Sequence, residues 1–273
     1  MRARATGKRI AIALSLALAA VLGAVGAVGY LTFVRSPADS PARACRPGHT
    51  AGDEPVVVAA GASMTQGTLG ADWVGALRKR REFDGYRFVN AGVNGNTSAD
   101  LRERVDTDIL ACHPDAVVIL IGTNDVRNGV PVASFRDNLA AIVGRVTAEA
   151  TARVALMSLP PLGEDLDAEI NHRLVDYNRA IADTAIRAGV DYLPLHERIV
   201  DLVRQYGDPH MSYDFGFVLA FRAAAQHYLL RRDWDQVAHS HGLELFVDHI
   251  HLSDRGGAAV VDLTARWLAT VIR

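Results

Sequence analysis

Short apolar runs, each stopped by a turn-forming residue and separated from the next by a helical pattern, constrain this chain more than any other feature. Val56-Val57-Val58-Ala59-Ala60 ends at Gly61, and Ala116 to Ile121 ends at Gly122. Phe88-Val89 ends at Asn90-Ala91-Gly92, and Val154 to Met157 ends near Pro160-Pro161. Tyr192-Leu193 is a weaker fifth run, closed by Pro194. The runs are continuous rather than alternating, which predicts strands covered on both faces, as in a parallel sheet. Helical patterns fall between them, near 72–82, 98–111, 132–149 and 168–188. Thr97 or Ser98 suits the N-cap of the second, and Ser253 that of a last helix running towards Ile272. Strand and helix in alternation imply a doubly wound α/β domain. Sites in such folds lie at the carboxyl ends of the strands, where Ser63, Gly95 and Asn124 fall.

Four short segments carry the chemistry. They are Gly61 to Gly67, Asn90 to Ser98, Gly122-Thr123-Asn124-Asp125 and Asp248-His249-Ile250-His251. Together they offer a nucleophile, a base, an orienting acid and oxyanion donors, the division of labour that acyl transfer requires. Asp248 and His251 stand three apart before a helix, so an imidazole and its acceptor can face each other at little ordering cost. Each residue also has a plainer reading. Ser63 suits a helix cap, Gly95 a turn with positive φ, and Asn124 a turn that satisfies its own backbone. His251 could be a packed loop histidine and Asp248 a helix-start acid. His249 has the wrong spacing to Asp248 for the motif.

These segments resemble the SGNH, or GDSL-type, hydrolases over almost all of residues 55–273. Gly61-Ala62-Ser63 matches the family's first block, Asn90 to Ser98 the second, Gly122 to Asp125 the third and Asp248 to His251 the last. The resemblance implies a three-layer α/β/α sandwich around a mostly parallel five-stranded sheet, flavodoxin-like in order. It implies Ser63 as nucleophile, His251 as general base and Asp248 as its orienter. The backbone N–H groups of Ser63 and Gly95, with the Asn124 amide, would form the oxyanion hole. Ala62 stands where the family usually has Asp; that Asp is neither nucleophile nor base, so activity is expected to survive. The implied substrate is an ester or O-acyl compound, whether small molecule, lipid or glycan, and no cofactor is implied. Transfer of the acyl group to a glycan or lipid hydroxyl would use the same residues. A surface binding module is a different class, and the intact nucleophile, base and asparagine argue against it.

Two further readings lose ground. The α/β-hydrolase pattern expects Gly-x-Ser-x-Gly at the nucleophile, which this chain lacks. His239-Ser240-His241 and His249-Ile250-His251, with Asp248, would suit zinc. A metal reading leaves Ser63 and Asn124 without purpose, so none is expected.

Arg2, Arg4, Lys8 and Arg9 precede an uncharged run, Ile10 to Val34, before the first acidic residue, Asp39. The run is long enough to span a bilayer and too long for a typical signal-peptide core. Residues 1–9 are expected in the cytoplasm, 10–34 as a signal anchor and the remainder outside; the small residues around Ala24 also allow cleavage and secretion. Pro37, Pro41, Pro47 and the closing Pro55 make residues 35–54 an expected extended linker. In the SGNH arrangement the first and third strands are neighbours, so Cys45 and Cys112 approach one end of the sheet. A disulfide between them and two unrelated thiols are both open.

From residue 55 onward 22 Lys and Arg face 28 Asp and Glu, a formal charge of −6 that argues against nucleic acid as partner. Residues 55–273 suffice for one domain with its own core. The segment 205–247 is the least regular. Tyr213, Phe215, Phe217, Phe221, Tyr228, Trp234 and Phe246 make it a lid, a pocket wall or an ordinary helix packed on the sheet, with one helix expected over 217–239.

Overall fold

The computed structural model describes residues 2–45, 54–207 and 211–272, with 2–11 by backbone alone. Helix α1 (Arg2–Gly29) continues through a π-helical turn at Tyr30–Val34, and a short α2 (Pro41–Ala44) follows. Strand β1 (Val56–Gly61) leads into a single turn, α3 (Ser63–Gln66), then α4 (Trp73–Arg78). Strand β2 (Arg87–Gly92) leads into α5 (Ser98–Glu103) and α6 (Val105–Asp108). Strand β3 (Ala116–Leu120) leads into α7 (Thr123–Asn128) and α8 (Val132–Glu149). Strand β4 (Arg153–Met157) leads into α9 (Glu169–Ala188), and β5 (Asp191–Leu193) into α10 (Leu195–Tyr206). Helices α11 (Phe217–Leu230), α12 (Trp234–Ser240) and α13 (Asp254–Val271) complete the chain.

The sheet order is β2-β1-β3-β4-β5, and every pairing is parallel. Every residue of β1 and β3 is buried, as continuous apolar runs require when both faces are covered. One helical layer joins α5, α8 and α9; the other joins α4, α13 and α10. The expected three-layer α/β/α architecture is therefore the observed one. The strand register aligns Gly61 with both Gly92 and Leu120, so three strands end at one level. The site is built on that ledge.

Caps explain where helices start. Thr97 and Asp100 form a capping box at α5, and Ser253 accepts the Gly256 N–H at α13. Two expected helices are broken. Over 98–111 the chain leaves helical geometry at Arg104, and α6 gives way to a 3-10 turn at Leu110–Cys112. Over 217–239 it breaks because Arg231 turns left-handed (φ 56°) and Asp233 then caps a new helix, accepting the Gln236 N–H at 2.7 Å.

The expected extended linker is folded over 35–45. Asn90 N–H of the edge strand β2 donates to the Asp39 carbonyl, and Arg87 donates to the Ala44 carbonyl. Cys45 and Cys112 are disulfide-bonded at the far end. The segment thus descends along β2 and covers an edge that would otherwise present unpaired groups to solvent. Residues 46–53, Pro47 included, lie outside the described residues, as do 208–210 of the aromatic segment and Arg273.

Candidate active site

The turn after β1 sets Ser63 at the first position of α3, with its side chain partly exposed. Residue Gly92 makes this turn possible: a Cβ there would lie 2.2 Å from the Gln66 backbone nitrogen, so no side chain fits between β2 and α3. Buried Asn90 fastens the turn from below, donating from Nδ2 to the Thr65 carbonyl at 2.8 Å and accepting the Gly92 N–H at 3.0 Å. Arg104 spans the ledge. Its guanidinium donates to the Gly61 and Ala91 carbonyls, both at 2.9 Å, and to Asn96 Oδ1 at 2.8 Å.

The loop before α13 brings its two motif residues to this turn. His251 Nδ1 is 2.8 Å from Asp248 Oδ2, and Nε2 is 2.8 Å from Ser63 Oγ. A carboxylate only accepts, so Nδ1 carries the proton and Nε2 accepts from the serine hydroxyl. Asp248 is fully buried, and its Oδ1 also accepts the backbone N–H groups of Ile250 (3.1 Å) and His251 (2.8 Å). Burial alone would raise its carboxyl; the facing imidazole and these hydrogen bonds outweigh that and hold it below the usual carboxylate range. The acid is thereby kept ionised and oriented. His249, between them, adopts φ 68° and turns away against Tyr213, with ring centroids 5.8 Å apart.

Gly95 and Asn124 join this group through Asn96. Gly95 takes φ 78° in the turn after β2, a left-handed conformation natural to glycine. Asn124, in the first turn of α7, donates from Nδ2 to the Asn96 carbonyl at 2.9 Å and accepts from Arg127 at 3.3 Å. Its amide orientation is therefore fixed, and Nδ2 has a second hydrogen to offer. Arg127 lies over the Phe215 ring at 4.1 Å, which brings the aromatic segment to the Asn124 side of the site. Asp125 is buried and holds α5 instead, accepting from the Ser98 N–H and hydroxyl; burial raises its carboxyl.

The paired histidines do separate work. His241 contacts the Val247 carbonyl through Nδ1 and Gln226 through Nε2, and His239 faces Glu244. Arg104 and Gln66 were missed as site residues. Nothing in the sequence separates Arg104, which ends α5, from exposed Arg102 within it. Gln66 accepts the Asn94 N–H and donates to the Arg35 carbonyl, a contact across the fold that no local pattern signals.

The sequence profile of the GDSL-like lipase/acylhydrolase family matches residues 59–259, a range that holds all five of these candidate residues. The chain belongs to that family. Esterase TesA of Pseudomonas aeruginosa is 39% identical over 93 residues, 33% of this chain and 46% of that protein. An acetylxylan esterase of Geobacillus stearothermophilus is 44% identical over 64 residues, 22% of this chain and 29% of that one. The chain thus spans less than half the length of these curated relatives. The crystal structure of the acetyl xylan esterase AlAXEase superposes with a TM-score of 0.59 at 20% identity, over 78% of this chain and 99% of that one. That likeness extends the family's fold across the sheet and its helices. Within the family, Ala62 replaces the usual Asp, yet the GDSL turn still presents Ser63 to His251.

Proposed function

We propose that this chain is a membrane-anchored, extracytoplasmic serine esterase that cleaves carboxylic ester or O-acyl bonds. The observation that carries the reading is the continuous relay from Ser63 Oγ through His251 to buried, ionised Asp248. Ser63 Oγ bonds to the acyl carbon as its proton passes to His251 Nε2. The carbonyl oxygen becomes an oxyanion among the N–H groups of Ser63 and Gly95 and the Asn124 amide. The C–O bond to the alcohol breaks, and the alcohol leaves with the proton from His251. Water then attacks the acyl carbon and gives its proton to His251; the bond to Ser63 Oγ breaks, the acid leaves, and Ser63 recovers the proton from His251. Family membership and the esterase relatives support this chemistry.

Two features support the location. Ile12–Val34 is long and apolar enough to cross a membrane, with basic residues before it. The Cys45–Cys112 disulfide fits an oxidising compartment. The test uses the full chain in detergent with nitrophenyl esters from acetate to palmitate, beside Ser63→Ala. Turnover that disappears in the variant supports the serine mechanism, and the optimum chain length defines the acyl pocket. Equal turnover in both proteins would overturn it; a folded protein inactive on all esters would favour acyl transfer to a hydroxyl acceptor.

A further inference from the structure

We infer that α11 is a second membrane contact, one that seats the site at the bilayer surface and fits it to esters carried by amphiphiles. The inference rests on the proposed reading of Ile12–Val34 as a membrane span. Helix α11 leaves large apolar side chains uncovered: Phe217 is 65% exposed, Val218 82%, Leu229 51% and Leu230 63%. Val218 and Leu229, with exposed Arg222 between them, follow a spacing that forms one stripe along the helix. Exposed Arg222 lies on that stripe and exposed Arg231 directly follows the helix, two cations that would meet anionic lipid headgroups.

The anchor's own position argues for a bilayer as occupant. Among the described elements, α1 packs on α11; Val28 is fully buried, and Phe33 stacks on Phe217 with centroids 5.1 Å apart. A hydrocarbon layer of about 30 Å takes about 20 helical residues at about 1.5 Å each. Counted from Ile12, that layer reaches the π-helical turn. Val28 then lies within it, and the Phe33–Phe217 pair lies at its edge. The start of α11 cannot leave the membrane surface without breaking those contacts.

The same turn reaches the site. The Thr32 carbonyl accepts from Asn94 Nδ2 at 2.9 Å and from Thr68 Oγ1 at 2.7 Å, and the Arg35 carbonyl accepts from Gln66 at 3.0 Å. Asn94 precedes Gly95, and Gln66 ends the Ser63 turn. On the opposite side Phe215, two residues before α11, supports Arg127 and through it Asn124. Both walls of the site are therefore tied to elements at the bilayer edge. A molecule with an acyl ester at headgroup level and its own tail in the lipid meets this geometry.

The test places nitroxide labels on the full chain, one at a time, at Leu16→Cys in the span, Val218→Cys on α11 and at exposed Ile186→Cys on α9. Both native cysteines are already paired, so each label has one target. In phosphatidylcholine–phosphatidylglycerol vesicles, relaxation by oxygen should exceed that by a water-soluble nickel chelate at 16 and 218, with the reverse at 186. Position 218 reading as aqueous while 16 reads as lipid overturns the α11 contact and leaves the anchor standing. Position 16 reading as aqueous overturns the anchor and this inference together. A second arm compares an acetyl ester on a lipid tail in the vesicles with water-soluble nitrophenyl acetate. Val218→Asp should lower the ratio of the two turnovers by about tenfold, the worth of one apolar burial. An unchanged ratio overturns the substrate class.

Discussion

His251 and Asp248 grip the Ser63 turn on one side, while Gln66, Thr68 and Asn90 bind it to the π-helical turn after α1 and the segment 35–45 on the other. The first grip is polar and short-range: four residues of one loop supply both the base and the acid that orients it. It secures chemistry within that one loop. The second reaches far along the chain. It satisfies the last carbonyls of a helix, covers the edge of β2 and closes with a disulfide. The other edge, β5, is only three residues long and has less to protect than six-residue β2. The same serine thus sits between a reactive region whose loss should spare the fold and a structural region whose loss should spare the mechanism.

The sharpest break of that contrast is His251→Ala. Turnover of a nitrophenyl ester should fall by about 10⁴-fold or more, because the serine loses its base. Urea stability should fall by no more than about 3 kcal/mol, because fully buried Asp248 loses the facing imidazole but keeps its two backbone donors. A large loss of stability would show that the relay also supports the fold. On the other side, Cys45→Ser with Cys112→Ser opens a bridge between residues 67 apart. Chain entropy alone puts the cost at about 4 kcal/mol. The folded fraction should keep most of its turnover at low temperature. Activity falling faster than the folded fraction would mean that segment 35–45 controls the nucleophile directly.

Arg104 belongs to both regions, and its substitution should give a mixed result. Arg104→Met removes donors from the Gly61 and Ala91 carbonyls and from Asn96. Stability should fall by about 2 kcal/mol, measured by urea unfolding. Turnover should also fall, by about tenfold, because Asn96 carries Asn124. Loss of stability without loss of turnover would assign Arg104 to the structural region alone.

Legibility in the sequence follows the same division. Strands of the sheet were readable because apolar runs covered on both faces leave a one-dimensional signature. Ser63, Asp248 and His251 were readable as candidates because each lies in a short motif whose chemistry depends on near neighbours. The docking of 35–45 was not. Proline and alanine in that segment describe a flexible linker equally well, and only the partner at Asn90 distinguishes a strand cover from one. The break at Arg231 also escaped. A left-handed arginine carries no compositional mark, and Asp233 becomes a cap only once the helix before it has ended.

The smallest expected effect separates the loop's chemistry from its packing. His249 is buried beside Tyr213, and burial lowers its affinity for a proton below the ordinary value of 6.5. The unfolded chain takes up that proton first as pH falls. Stability is therefore lost between about pH 6.5 and the lowered folded value, and is fully present above that window. His241 shifts in the same direction, also through burial, so both histidines contribute to the slope. Asp248 acts elsewhere: its lowered carboxyl contributes stability above 3.8 that disappears only as pH falls through a still lower value. His249→Asn keeps a residue tolerant of the φ of 68° and removes one titrating group. The difference between variant and wild type in urea stability from pH 5 to 7 cancels every other titrating group, His241 included. That difference should take away about half of the acid-side slope, while turnover at pH 7 stays within about threefold. An unchanged slope would mean that His249 titrates normally and that the loop opens to water around it.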